Sequence, residues 1–175
     1  MTLFRLRLSQ RVLCAAASAV GILAALPALA APPPAAPSTD RIAIQAVYDQ
    51  LGAAFGQHDL ARFMSYFTPD YIDVDEKGAH LSKEQTRRGY QDQLGQIKTM
   101  QSHYAIQSLT PTAGGTLVEM KMHSDGTGAK RILFAKLHAN FTDDLWVRDL
   151  WVNTPQGWRL QHRQTLQDQL RIHPR

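Results

Sequence analysis

The residue types best suited to chemistry cluster near the C-terminal end of the sequence. Thr154-Pro155-Gln156-Gly157 has proline second and glycine fourth, as a type I turn prefers, and predicts a hairpin with Thr154 opposite Gly157. Regular pairing from that turn puts Val152 opposite Arg159, Trp151 opposite Leu160, Asp149 opposite His162 and Val147 opposite Gln164. The face carrying Leu145, Val147, Trp151, Leu160 and Leu166 is mostly apolar and is expected to point inward, which places Asp149 and His162 side by side among hydrophobic neighbours. A carboxylate in such a place resists ionisation unless a partner compensates, and an imidazole beside it is drawn toward the cation. Such a pair can be a structural ion pair, a ligand contact or an acid/base couple, and the residue types leave all three open.

A second group of acids lies earlier. Tyr71 to Asp75 alternates as a strand, so Tyr71, Asp73 and Asp75 share one face and Ile72 and Val74 the other. Turned inward, that face brings two carboxylates toward the same interior; turned outward, it is a solvated edge with Asp75 capping the Glu76-Lys77-Gly78 turn. Other chemistries find no support. There is no glycine-rich phosphate loop after a strand and no GxSxG elbow. The histidines at 58, 80, 103, 123, 138, 162 and 173 have no close ligand spacing, so neither a metal nor a cofactor is expected. Tyr90, Trp146, Trp151 and Trp158 read first as core or interface residues.

The elements that must position these groups follow from periodicity and caps. Ser38, Thr39 and Asp40 offer N-cap chemistry to a helix with Ile44, Val47, Leu51, Ala54 and Phe55 on one side, ending near Gly56. Asp59 can cap a short second helix bearing Leu60, Phe63, Met64 and Phe67, stopped by Thr68-Pro69. Ser82 and Gln85 form a capping-box pattern opening a third helix with Thr86, Tyr90, Leu94 and Ile97 on one side. From Met100 the period changes to two, with a turn at Pro111 to Gly115, a strand ending before Gly126 and Gly128, two strands at Ile132–Phe141 and Leu145–Val152 separated by a turn at Asp143-Asp144, and a last strand at Trp158–Leu166. Helices followed by a run of antiparallel strands make an α+β domain.

The N-terminus reads as a leader. Arg5, Arg7 and Arg11 precede an apolar, alanine-rich run from Val12 to Leu26, and Ala28-Leu29-Ala30 supplies a small-x-small cleavage pattern, so residues 1–30 are expected to be a signal peptide cut after Ala30. The run is shorter than the roughly 20 apolar residues of a membrane span and is broken by Pro27, so no stable membrane anchor is expected after cleavage. Cys14 lies inside the leader, before the apolar run ends, which argues against lipidation. Cleavage lowers the formal charge from +4 to +1 and removes the only cysteine, so a nucleic-acid partner, disulfides and a thiol nucleophile are all set aside. Residues 31–38 are a Pro/Ala-rich linker, 39–170 the domain and 171–175 a tail, and the location is periplasmic or secreted.

This order of elements resembles the nuclear transport factor 2-like superfamily, in particular its SnoaL-like bacterial members, through His58–Gly78 (HDLARFMSYFTPDYIDVDEKG) and Trp151–Thr165 (WVNTPQGWRLQHRQT). The resemblance covers residues 40–168 and implies a cone: three N-terminal helices packed in a strongly curved antiparallel sheet, with a pocket inside. Compared with the superfamily's ketosteroid isomerases, counting from Asp59 places Asp75 at their general base, and counting back over the last turn places Asp149, to within one residue, at their oxyanion-hole aspartate. Their catalytic tyrosine falls on Leu51, with Tyr48 one turn earlier. The expected function is therefore an exported domain that binds a small, largely apolar molecule through Tyr48, Asp73, Asp75, Asp149, Trp151, His162 and Gln164. One alternative is an isomerase- or cyclase-like acid/base enzyme in which Asp75 and Asp149 are catalytic. The other is a homodimeric interaction module using an outer sheet face with Trp146, Leu150 and Val152.

Overall fold

A computed structural model describes residues 38–132 and 135–174. The leader and linker expected over residues 1–37 lie outside the described residues. Helix α1 (Thr39–Gly56) starts where Ser38 accepts the Arg41 backbone N–H, α2 (Leu60–Ser65) where Asp59 accepts that of Arg62, and α3 (Lys83–Leu94) at a complete capping box between Ser82 and Gln85. Each cap was legible because short polar side chains satisfy the orphan N–H groups of a first turn. Strands β1 (Phe67–Val74), β2 (His80–Ser82), β3 (Ile97–Thr112), β4 (Gly115–Ile132), β5 (Ala135–Thr154) and β6 (Gly157–Pro174) form one six-stranded sheet in the order β2-β1-β6-β5-β4-β3. All neighbours are antiparallel except β1 and β6, which run parallel, so the sheet is mixed where an all-antiparallel one was expected. Register shifts at Ile106/Ser108, Leu150/Trp151 and Trp146/Val147 supply bulges that curve it.

One sheet face meets the helices. Val118, Met120, Val147, Trp151 and Leu160 are fully buried there, against Ile44, Tyr48 and Leu51 of α1 and an aromatic string of Phe55, Phe63, Phe67 and Tyr71. Each such side chain contributes roughly 1.5–3 kcal/mol of burial. Helix α1 also reaches over β3. The Arg41 guanidinium donates to the Ile106 carbonyl, and the Gln45 amide donates to that of Tyr104 at 3.0 Å.

The later strands are longer than their punctuation implied. Gly126 and Gly128 lie inside β4, where a Cβ on Gly126 would stand 2.3 Å from the Phe141 ring and 2.4 Å from the Thr99 carbonyl oxygen. These glycines mark close approach between strands, not a turn. Asp143-Asp144 is not a turn either: from Ala135 the two expected strands around it run on as the single strand β5, while Ile132, expected to open the first of them, ends β4, and residues 171–174, expected as a tail, continue β6. Asp144 faces outward, where it accepts from Arg171 at 2.7 Å and meets His123 at 2.6 Å.

Asp143 faces the other way. Opposite Leu170 and diagonal to Asp168, its carboxyl is pushed up to about 6 by burial, with the Asp168 charge adding to the shift. The folded carboxyl therefore holds its proton more tightly than the unfolded one, with its ordinary value near ~3.9. Its contribution to stability is greatest below that value and falls as pH climbs toward about 6. The urea midpoint of Asp143→Asn should accordingly decline less than that of the parent between about pH 4 and about pH 7, and parallel declines would contradict this placement.

Candidate functional site

The last hairpin sets the register of the interior. Thr154 pairs with Gly157, Val152 with Arg159 and Trp151 with Leu160, as the turn implied. Gln161 then bulges out, and beyond it Leu150 pairs with His162, Asp149 with Arg163 and Arg148 with Gln164. The expected pairing of Asp149 with His162 is therefore corrected by one residue. His162 and Gln164, expected as interior ligand contacts, lie on the outer face, and Arg163 takes the inward place beside Asp149.

Asp149 is fully buried, and its carboxylate accepts Arg163 Nε at 2.8 Å, Arg163 Nη2 at 2.7 Å and the Tyr48 hydroxyl at 2.7 Å. Trp151 Nε1 donates to the Tyr48 oxygen at 2.9 Å, and the two rings meet edge to face at 5.0 Å. Tyr48, Asp149 and Trp151, three of the expected site residues, are thus brought together by α1 and β5. Burial works against the Arg163 cation, but the Asp149 charge and hydrogen bonds outweigh it and raise the guanidinium well above its ordinary value. Burial, reinforced by Asp149, likewise holds the Tyr48 hydroxyl well above the usual phenol range, so Tyr48 keeps its proton and donates it. Fully buried and already accepting three hydrogen bonds, Asp149 is committed to this network, and its role as an oxyanion-hole donor loses its geometric basis.

Polar groups without such commitments sit next to this network. Asp73 lies beside Arg163 across the parallel β1/β6 ladder and is half-buried. Burial raises its carboxyl above the ordinary value, against the pull of Arg163. Tyr71 is 1% exposed and packs edge-on against Phe67 at 4.6 Å, and its hydroxyl lies next to the Asp73 carboxyl without closing a hydrogen bond of ordinary geometry among the described residues. Burial raises that hydroxyl far above the usual range. Tyr90 reaches down from α3 against Phe63 at 4.9 Å, its hydroxyl pushed up to about 12 by burial and pulled back by Arg163. One turn earlier on α3, the buried Thr86 hydroxyl also lacks a partner among the described residues.

Asp75, expected as the general base, has a different occupation. Its Oδ1 accepts the backbone N–H groups of Lys77 at 2.9 Å and Ala79 at 2.8 Å, so it closes the turn between β1 and β2. Counting along the strand put Asp75 and Asp73 on one face, but β1 ends at Val74 and only Asp73 reaches the interior. Arg163, Tyr71 and Tyr90 were not read as site residues. The one available signal was that a buried carboxylate calls for a guanidinium, and Arg163 stands one position from the residue chosen for it. On the outer face, Trp146, Leu150 and Val152 are each half-buried, with Lys121 Nζ 4.9 Å from the Trp146 ring centre.

No protein-family model and no curated protein matches the sequence. Solved structures do match in shape. A conserved protein from Planctomyces limnophilus superposes with a TM-score of 0.59 at 14% identity, over 78% of this chain and 98% of that one. A hexachlorocyclohexane dehydrochlorinase (LinA) of type 2 gives 0.58 at 11% identity, over 78% and 88%. A proposed dehydratase of the NTF2-like family from Streptomyces avermitilis gives 0.55 at 16% identity, over 73% and 95%. At these identities the likeness is one of architecture, and helices α1 to α3 on a curved six-stranded sheet give this chain the nuclear transport factor 2-like fold.

Proposed function

We propose that this chain is an exported protein, carried by the leader at residues 1–30, that binds a small, largely apolar molecule with a hydrogen-bonding head between α3 and the inner sheet face. The observation that carries the reading is the buried Tyr71 hydroxyl, which lies next to the half-buried Asp73 carboxyl and the edge of Arg163 yet closes no hydrogen bond of ordinary geometry among the described residues. A buried, unpaired hydroxyl costs about 1–3 kcal/mol, which a ligand acceptor would offset. Tyr71, Tyr90 and Asp73 are the contacts, and Tyr48 and Asp149 hold Arg163 in place behind them.

A second reading is favoured by Asp73 specifically. A desolvated carboxyl held above its ordinary value is better matched to proton abstraction near neutral pH, and two tyrosine hydroxyls nearby could stabilise charge developing on a carbonyl oxygen. This moves the acid/base proposal from Asp75 and Asp149 to Asp73.

The ketone 1-tetralone, with an apolar body and one acceptor oxygen, tests both. Tyr71→Phe should weaken its binding about tenfold, roughly 1.4 kcal/mol, while leaving stability unchanged or slightly improved. Saturation-transfer NMR measures the first and urea denaturation the second. Equal affinity in parent and variant, or no saturable binding, refutes the binding site. If the chain is also a catalyst, it should accelerate exchange of the ketone's α-protons in deuterium oxide, and Asp73→Asn should abolish that acceleration while binding survives. Exchange that persists in Asp73→Asn removes the enzyme reading and leaves the binding one standing.

A further inference from the structure

We propose that the outer sheet face carries a separate binding pocket, for a small organic carboxylate with an apolar body. A half-open cavity of about 490 Å³ lies there, within the usual roughly 300–1,000 Å³ range of small-ligand sites. The strand register explains its composition. Leu117 on β4 pairs with Leu150 on β5, Leu150 with His162 on β6, and His162 with Ile72 on β1, so one row across four strands gives an apolar floor interrupted by an imidazole. The next row brings Arg148 opposite Gln164.

The free donors in this cavity come from a guanidinium, an imidazole and an amide, beside the amide oxygens of Gln161 and Gln164. Arg148 Nε and Nη2 both donate to Glu119 Oε1, at 3.2 and 2.7 Å, which leaves the Nη1 edge of the guanidinium for a ligand. His162 and the Gln164 amide flank it. Asp70 stands on the opposite rim with its Oδ2 accepting the Gln161 amide at 2.8 Å, so its charge turns an anionic head away from that rim and toward Arg148. His162 is there because of the bulge at Gln161, which re-aims one side chain from the interior to the outside. A recessed small molecule suits this face better than a flat protein contact. Among the described residues, the exposed large apolar side chains are Ile42 on α1 and Leu170 and Ile172 near the end of β6, none of them in the cavity.

The test titrates benzoate, with neutral benzamide as its control, into isotope-labelled protein and follows the signals of Ile72, Leu117, Leu150 and His162. Benzoate should give saturable shifts at these residues, and benzamide should bind about tenfold more weakly. Arg148→Met should weaken benzoate binding by about the same factor, and His162→Gln by less. Circular dichroism establishes that each variant is folded. Tyr71→Phe should leave the titration unchanged, which separates this site from the interior one. The proposal is overturned by the absence of saturable shifts, by equal affinity for benzamide, by benzoate affinity unchanged in both variants, or by shifts confined to the surroundings of Tyr71. A dimer in sedimentation whose Leu117 and Leu150 signals ignore benzoate overturns it as well, since the face would then be covered by a second copy.

Discussion

Arg163→Met should lower the stability of the domain by roughly 3–5 kcal/mol, because it leaves the fully buried Asp149 carboxylate without its cation. Domains of this kind are stable by only about 5–15 kcal/mol, so the variant should unfold at a much lower urea concentration and lose a large share of its soluble yield. The pair itself is a poor source of net stability, since both ions give up hydration to enter the core. Removing both charges should therefore be far milder than removing one. Arg163→Met combined with Asp149→Leu should recover most of the loss, although the Tyr48 hydroxyl then loses its acceptor. A single variant with an unchanged midpoint, or a double variant as weak as the single, would show that Asp149 and Arg163 are not a desolvated pair.

Deleting Gln161 should be far milder than losing Arg163. The Thr154–Gly157 turn fixes pairing on one side of the bulge, and without the extra residue Leu160 leads directly into His162, so regular pairing keeps His162 opposite Leu150 and Arg163 opposite Asp149. The buried carboxylate would keep both guanidinium hydrogen bonds, and the loss is that of the bulge's local curvature and of the exposed Gln161–Asp70 contact, about 1 kcal/mol. The parallel ladder with β1 would survive as well, since Ile72 and Asp73 still meet His162 and Arg163. Denaturation measures the difference, and the solvent accessibility of His162 to a histidine-selective reagent reports whether it keeps the outer face. A deletion variant destabilised as strongly as Arg163→Met, with His162 shielded from the reagent, would refute the described register.

The hairpin shows where a sequence stops being informative. Its turn residues carry their own geometry, and from them Trp151, Leu160 and the inward direction of Asp149 follow correctly. Nothing in Trp158–Gln164 marks the bulge, because a bulge at Gln161 needs no glycine and is selected by what must be buried on either side of it. The three helix starts were legible for the opposite reason: a cap is a local hydrogen bond between neighbours in the chain. Gly126 and Gly128 misled because a glycine that permits a turn and one that permits close strand approach look alike. Asp143-Asp144 misled similarly, its acids being placed by Asp168, His123 and Arg171, contributed by β4 and β6. The interior group around Tyr71, Asp73 and Tyr90 depends on a parallel β1/β6 contact that joins distant parts of the chain. That contact turned Asp73 toward Arg163 and left Asp75 to the turn.

The two hydrogen bonds from Arg41 and Gln45 to β3 carry a further consequence. β3 is the outermost strand on its side, and a row of unsatisfied carbonyls along such a strand is a template on which another chain can assemble. With the Tyr104 and Ile106 carbonyls already engaged by side chains from the first helix, that template is blocked midway along its length. Helix α1 thus guards the domain against fibril-like growth as well as roofing its core.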